Sequence, residues 1–378
     1  MIKKQVCLFL LSQILFLQLA TAKVQEYRLE PDEIHSFIET NVRDRFSYSG
    51  LAASYNDVGA YIVDIEGIKK LDTEPYTLKP DQVLAFVGHY KIIILQNIVG
   101  VVSFKEGSLL WHKNDTKNQL SSMGKTRAQL LLKSDLDKLP QAIQRLKYAH
   151  LWDSLRWLCF LIEAIVLWLN TIQSFGWGMT IILLSLLFKL FILPANILLT
   201  RAQRKVSHIQ ARLTPELEYI KANFTGEEAH QKLIAAHKQQ GVTLFYNLKP
   251  LLLILAPIPF LIAIFNVLGE MNLIAGHPFL WIDDLAYPDA IYHLGFYIPL
   301  LGNSINLLPI LMTLLTIFSA LIYQNKIVSI KELRKQKRNL YFMAAGFFLL
   351  FYPFPSAMVL YWTFANIWQI IQQRWVRI

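Results

Sequence analysis

Lys189 stands in the middle of an apolar run, Trp177 to Leu199, that carries no other charge. An ammonium at mid-helix costs about 2.5–3.5 kcal/mol on membrane-insertion scales, while Leu, Ile and Phe each return about 0.3–0.6 kcal/mol. The run holds 14 of those apolar residues, so it still inserts. Ser185 lies four residues before Lys189 and Asn196 seven after, on one stripe of a helix. Similar polar stripes recur as Thr313 and Thr316, and as Thr363, Asn366, Gln369 and Gln373. If these faces converge, Ser185, Lys189, Asn196, Thr313, Thr316, Thr363 and Asn366 line a polar groove in the bilayer around one cation. Every Asp and Glu after Glu163 falls between apolar segments, so the cation has no fixed acid beside it. That suits transient attraction of a guest with acidic or polar groups. A proton relay would instead use intramembrane carboxylates or histidines. The competing reading lets Lys189 snorkel to the nearer surface, about 15 Å away along the helix.

Other chemistries find little support. Residues 23–150 contain no nucleophile elbow, glycine-rich phosphate loop or histidine pair at metal spacing. His230 and His237 are seven apart on the basic segment, and the loop acids Asp283, Asp284 and Asp289 lack ligand company, so no catalytic, cofactor or metal site is expected. Cys7 and Cys159 are too few for a disulfide framework.

The elements that position these residues follow from composition. The chain has 378 residues, 54% hydrophobic and 17% charged, with a net charge of +10; soluble domains are about 45–50% apolar and about 25% charged. Residues 1–22 read as a secretory signal with Lys3, Lys4 and an apolar run, the alternative being an uncleaved first membrane helix. Residues 23–150, with 17 Lys/Arg and 16 Asp/Glu, read as a small extracytoplasmic α+β domain. Ile34, Phe37, Ile38 and Val42 are spaced for a helix within 32–46. Strands are expected at 60–65, 91–95, 101–104 and 108–111, the last two joined by a turn at 105–107. In 151–175, Asp153, Arg156, Glu163 and Asn170 share one face opposite Trp157, Leu161 and Trp168, as in an amphipathic helix lying in the membrane interface. A true span is the other reading.

Four apolar segments follow, at 177–199, 250–268, 305–323 and 340–373. Pro353 and Pro355 break the last into 340–352 and 357–373, giving a core of five spans. Residues 201–249 carry eight Lys/Arg against four Glu, 324–339 carry six against Glu332, and 269–304 have four acids and no Lys or Arg. The positive-inside rule therefore puts the two basic loops and the C-terminus in the cytoplasm and the mature N-terminus outside. The fold expected is an α-helical polytopic membrane protein with an N-terminal α+β domain. Segment 201–249 reads as a helical hairpin whose Arg201, Arg204, Lys205 and Arg212 contact anionic lipid, ribosomal RNA or nascent chain, or else only set topology.

Several motifs resemble the YidC/Oxa/Alb membrane protein insertases. They are Gly176-Trp177-Gly178 leading into the span with Lys189 and Pro194, then Thr200-Arg201-Ala202-Gln203, Pro278-Phe279-Leu280-Trp281-Ile282-Asp283-Asp284-Leu285, Leu308-Pro309-Ile310-Leu311-Met312 and Phe354-Pro355-Ser356 through Gln373. The resemblance covers about 150–378; residues 23–150 do not look like the large β-domain of outer-membrane-bearing relatives. It implies an energy-independent insertase and chaperone, not an enzyme, whose five spans enclose a hydrophilic groove open to the cytoplasm and lipid. It also implies nascent membrane proteins, the ribosome, the Sec channel and membrane lipid as partners, with no DNA and no cofactor. Lys189 occupies the place of the family's groove arginine, keeping the charge without the planar fork. The family's third-span glutamine before a proline is missing from Leu255-Ala256-Pro257-Ile258-Pro259. Both departures suit a specialised paralogue with few clients. Two rival classes are a polar-solute transporter and an assembly scaffold working through 23–150.

Overall fold

The computed structural model describes residues 24–375 apart from 31–32, 44–45, 65–66, 80–81, 97, 99, 106–107, 113–125, 140, 240–254, 256 and 323–329. The expected signal, the turn residues Glu106 and Gly107 and the start of the 250–268 segment lie outside the described residues.

The N-terminal region is β-rich. A six-stranded antiparallel sheet runs in the order β1 (Gln25–Leu29), β9 (Thr126–Leu132), β6 (Lys91–Gln96), β5 (Val83–Val87), β2 (Gly59–Val63), β3 (Ile68–Lys70). A second sheet joins β4 (Tyr76–Leu78), β7 (Gly100–Lys105) and β8 (Ser108–His112), with Lys105 opposite Ser108 in the β7–β8 register. Ile92 to Leu95 are all buried, the pattern of a strand covered on both faces. Helix α1 (Ile34–Val42) covers one face, because Ile34, Ile38 and Val42 recur every four residues and turn inward onto Ile62, Phe86 and Ile93. The 133–148 segment covers the other with Leu136, Leu139, Ile143 and Leu146 against Tyr61, Val87 and Ile94.

The remainder is mainly helical: α2 (Asp153–Ile172), α3 (Trp177–Asn223), α4 (Gly226–Gln239), α5 (Ile258–Glu270), α6 (Leu307–Ile322), α7 (Ile330–Phe351) and α8 (Ser356–Trp375). Among the described residues two helical segments are long and apolar enough to cross a membrane, Asp153–Ile172 and Trp177–Leu199; Ile258–Glu270, Leu307–Ser319 and Arg338–Phe351 are shorter apolar segments. The break at Pro353 and Pro355 separates α7 from α8 as the prolines require.

Three boundaries differ from the sequence expectation. The 177–199 segment and the first arm of the basic hairpin are one 47-residue helix, about 70 Å long at 1.5 Å per residue, with Pro194 and Pro215 inside it. Helix α7 begins at Ile330, so it is 22 residues long and not the 13-residue stub of 340–352. Its extra turns come from Lys, Glu, Leu, Arg and Gln, all good helix formers, where hydropathy alone reads a loop. Ile305 belongs to β11 (Gly302–Asn306), which pairs with β10 (Ala290–Ile298) in a hairpin inside the acidic loop.

Beyond the exposed Asp153, the polar stripe of α2 faces protein, not water. Glu163 is buried with Lys147 and accepts from Tyr148 Oη (3.2 Å), and Lys147 also meets Asp137 (3.2 Å). Arg156 donates to the carbonyls of Tyr148 (3.2 Å) and Leu151 (2.7 Å), while Asn170 accepts from Thr180 Oγ1 (3.0 Å) on α3. The exposed side of α2 is the apolar one, with Trp157, Leu161, Trp168 and Ile172.

The β-rich region is fastened to the helices by buried polar contacts. Lys133 on the segment after β9 meets Glu270 at the end of α5 at 2.6 Å, both side chains nearly inaccessible. Tyr48 Oη donates to the Ala286 carbonyl (2.9 Å), and His89 Nε2 donates to the Gly269 carbonyl (2.6 Å). Gly269 permits this approach: a Cβ there would come within 2.3 Å of the Tyr55 hydroxyl. A cavity of about 880 Å³ remains along this junction, with Tyr61, Lys133, His150 and Glu270 in its walls.

Candidate substrate groove

The period of α3 puts Ser185, Lys189 and Asn196 on one side, and α8 brings Trp362, Asn366 and Gln369 opposite at helical spacing. Together with Pro257 and Leu261 at the start of α5 they enclose a cavity of about 260 Å³. Lys189 is half-buried, and its ammonium donates to Gln369 Oε1 across the cavity. No described carboxylate lies beside it. Ser185 Oγ donates to the Ile182 carbonyl (2.7 Å) and accepts from Trp368 Nε1 (3.0 Å).

Of the seven groove residues expected from sequence, Ser185, Lys189, Asn196 and Asn366 line this cavity. Thr316 sits one layer behind, accepting from Asn366 Nδ2 at 2.8 Å while donating to its own Met312 carbonyl. Thr313 and Thr363 do not line the cavity: their hydroxyls bond the Pro309 and Val359 carbonyls of their own helices. A threonine in an apolar helix satisfies itself this way, and so a polar stripe on paper need not be a polar surface. Arg201 is exposed on α3, whereas the side chains of Arg204, Lys205 and Arg212 fall outside the described residues.

Two groove residues escaped the expected set. Gln369 was on the α8 stripe and proves to be the partner of Lys189. Trp362 Nε1 is buried in the cavity wall and has no hydrogen-bond partner among the described residues. A buried donor of this kind is ordinarily satisfied by water or a guest. The spacing of Trp362, Asn366 and Gln369, four and three apart, is the signal that would have found both. Two acids of the 269–304 loop serve the fold. Asp284 accepts from the Gly276 and Ala286 amides (2.8 and 2.9 Å), and Asp289 accepts from the Leu308 amide (2.6 Å) and Trp281 Nε1 (3.1 Å). Burial pushes the Asp289 carboxyl up against the pull of those hydrogen bonds.

Residues 168–378, more than half the chain, match the model of the family described as 60Kd inner membrane protein. The chain belongs to this family. Its helical half carries the groove, and the β-rich region precedes it. Relatives named membrane protein insertase YidC include one from Chlorobaculum parvum, 30% identical over 233 residues, covering 60% of this chain and 37% of the relative. Another, from Chlamydia trachomatis serovar D, is 32% identical over 212 residues, covering 53% of this chain and 25% of the relative. The match thus spans between a quarter and two-fifths of the length of these curated relatives. A solved YidC insertase with its first transmembrane domain resolved aligns with a TM-score of 0.41 and 14% identity, over 85% of this chain and 76% of that one.

Proposed function

We propose that this chain is a membrane protein insertase and chaperone that passes polar segments of its clients through the groove around Lys189. The observation that carries the reading is a cation inside an apolar helix bundle, held by a neutral amide and not by an acid. An ammonium satisfied by Gln369 keeps most of its charge available to a visiting carboxylate, and the amide is displaced at small cost. Family membership and the names of the relatives point the same way. The work is binding and release, with no covalent step.

The proposed arrangement has five spans in the inner membrane, at 177–199, 250–268, 305–323, 340–352 and 357–373, with 151–175 in the outer interface. The 23–150 domain lies outside, after a signal at 1–22. The 201–249 hairpin, with Arg201, Arg204, Lys205 and Arg212, recruits nascent membrane proteins, and the C-terminal tail assists contact with the ribosome; the Sec channel is a further proposed partner. Site-specific crosslinking from position 189 to nascent chains tests the route. Lys189→Arg should retain insertion, and Lys189→Glu should lose it for clients with acidic translocated tails. Equal insertion by all three proteins would sink the proposal.

A further inference from the structure

Strands β10 and β11 form a ribbon that pairs with no other described strand. From residue 290 to 306 the chain has no Asp, Glu, Lys or Arg, and the acid just before it, Asp289, is turned inward onto the Leu308 amide. Ile291, Tyr292, Phe296 and Tyr297 are 50% to 64% exposed. Residues 291–293 and 295–297 are exposed in unbroken runs, and bulges interrupt the pairing between Ala290 and Tyr292 and between His293 and Ile298, so this strand has no buried face. At the turn Leu300 holds a left-handed backbone, φ 69°, and is still 54% exposed. Leucine is disfavoured in that conformation, which glycine or asparagine adopts more readily. The ribbon is nevertheless braced. The Leu300 carbonyl lies so close over Gly50 that a Cβ there would come within 2.5 Å, and Gly302 sits beside Ser49.

We propose that this ribbon lies in the outer interface of the membrane, with its side chains among lipid headgroups and upper acyl chains. A protein-docking patch is one-sided and rimmed by polar groups; an uncharged ribbon whose long strand buries no face matches a medium that surrounds it. Tyrosine beside phenylalanine and leucine is the chemistry of that zone. Depth is limited by the backbone: the outer edges of a two-stranded ribbon carry amides and carbonyls that hydrocarbon would leave unsatisfied, so it stops where water still reaches. The chain then passes directly from β11 into α6, whose Leu314, Phe318 and Leu321 are also exposed. The inference rests on the membrane placement proposed above and is independent of insertase activity.

The test uses the full chain in a Cys7→Ser background, where the remaining thiol, Cys159, is buried. An environment-sensitive fluorophore is placed at Tyr292→Cys or Phe296→Cys, at Lys70→Cys on the β-rich region, and at Leu190→Cys on α3. Each protein is reconstituted into phosphatidylethanolamine–phosphatidylglycerol vesicles containing lipid brominated near the glycerol end or near the chain terminus. Positions 292 and 296 should emit blue-shifted light and lose more of it to the shallow bromines. Position 70 should stay aqueous, and position 190 should be quenched more by the deep ones. Aqueous emission at 292 and 296 with quenching at 190 overturns the ribbon proposal and leaves the membrane placement standing. Aqueous emission at 190 as well overturns both. Shielding of 292 and 296 in native membranes but not in vesicles assigns the ribbon to a protein partner and also overturns it.

Discussion

Lys189 and Gln369 meet across two helices, and the neutrality of the glutamine is what leaves the cation useful. Gln369→Glu would supply a resident acid in place of the visiting one. Insertion of clients with acidic translocated tails should then fall about 5- to 10-fold, equivalent to about 1–1.4 kcal/mol, while clients with uncharged tails keep their yield; a vesicle insertion assay over both client sets reads the difference. Gln369 was visible on its stripe, but a cation invites a search for carboxylates, and an amide does not announce itself as a partner. Thr313 and Thr363 failed in the opposite way, since a hydroxyl can be consumed by its own helix backbone and the sequence carries no sign of that choice. Cys159 offers a simple check on the packing beneath α2. Buried against the Ala263 carbonyl at 3.8 Å, it should resist maleimide in the folded protein and react once the protein unfolds; rapid modification in mild detergent would contradict this packing.

The elements are joined by buried ion pairs whose loss is asymmetric. Lys133→Met leaves the buried Glu270 carboxylate with only the exposed His150, at 3.4 Å, as a partner and should cost up to about 3–5 kcal/mol, seen as a lower unfolding midpoint in detergent. The double replacement Lys133→Met with Glu270→Leu removes both charges and should recover most of that loss. If the single variant is as stable as the parent, the 2.6 Å pair does not fasten α5 to the β-rich region. Strands β2, β6, β7 and β8 and helix α1 were legible because each has the periodicity or the continuous apolar run of its class. The β10–β11 ribbon was not, because its bulges and unbroken exposed runs erase the alternation by which a half-buried strand is recognised. Helix α7 was read too short for a related reason: hydropathy marks where an apolar phase would end, whereas helix propensity decides where the coil begins.

For the whole molecule, the charge asymmetry of the loops predicts a sidedness. A thiol at Lys238→Cys on α4 should be modified from the cytoplasmic side, and one at Lys70→Cys from outside, by an impermeant reagent on intact and opened cells; the reverse pattern would invert the proposed topology. Removing residues 24–150 strips Glu270 of Lys133 and the Ala286 carbonyl of Tyr48, so the remaining helices should unfold at a lower temperature. Adding Glu270→Gln to the truncated chain should restore part of the difference, and a truncated chain as stable as the full one would argue that the junction contributes nothing. Glu270 closes one end of α5, and Pro257 and Leu261 at the other end wall the groove. One helix of 13 residues therefore belongs to both sites. On the proposed insertase reading, a ligand of the β-rich region that shifts this helix and thereby changes client affinity has its own affinity changed by the same factor when a client fills the groove.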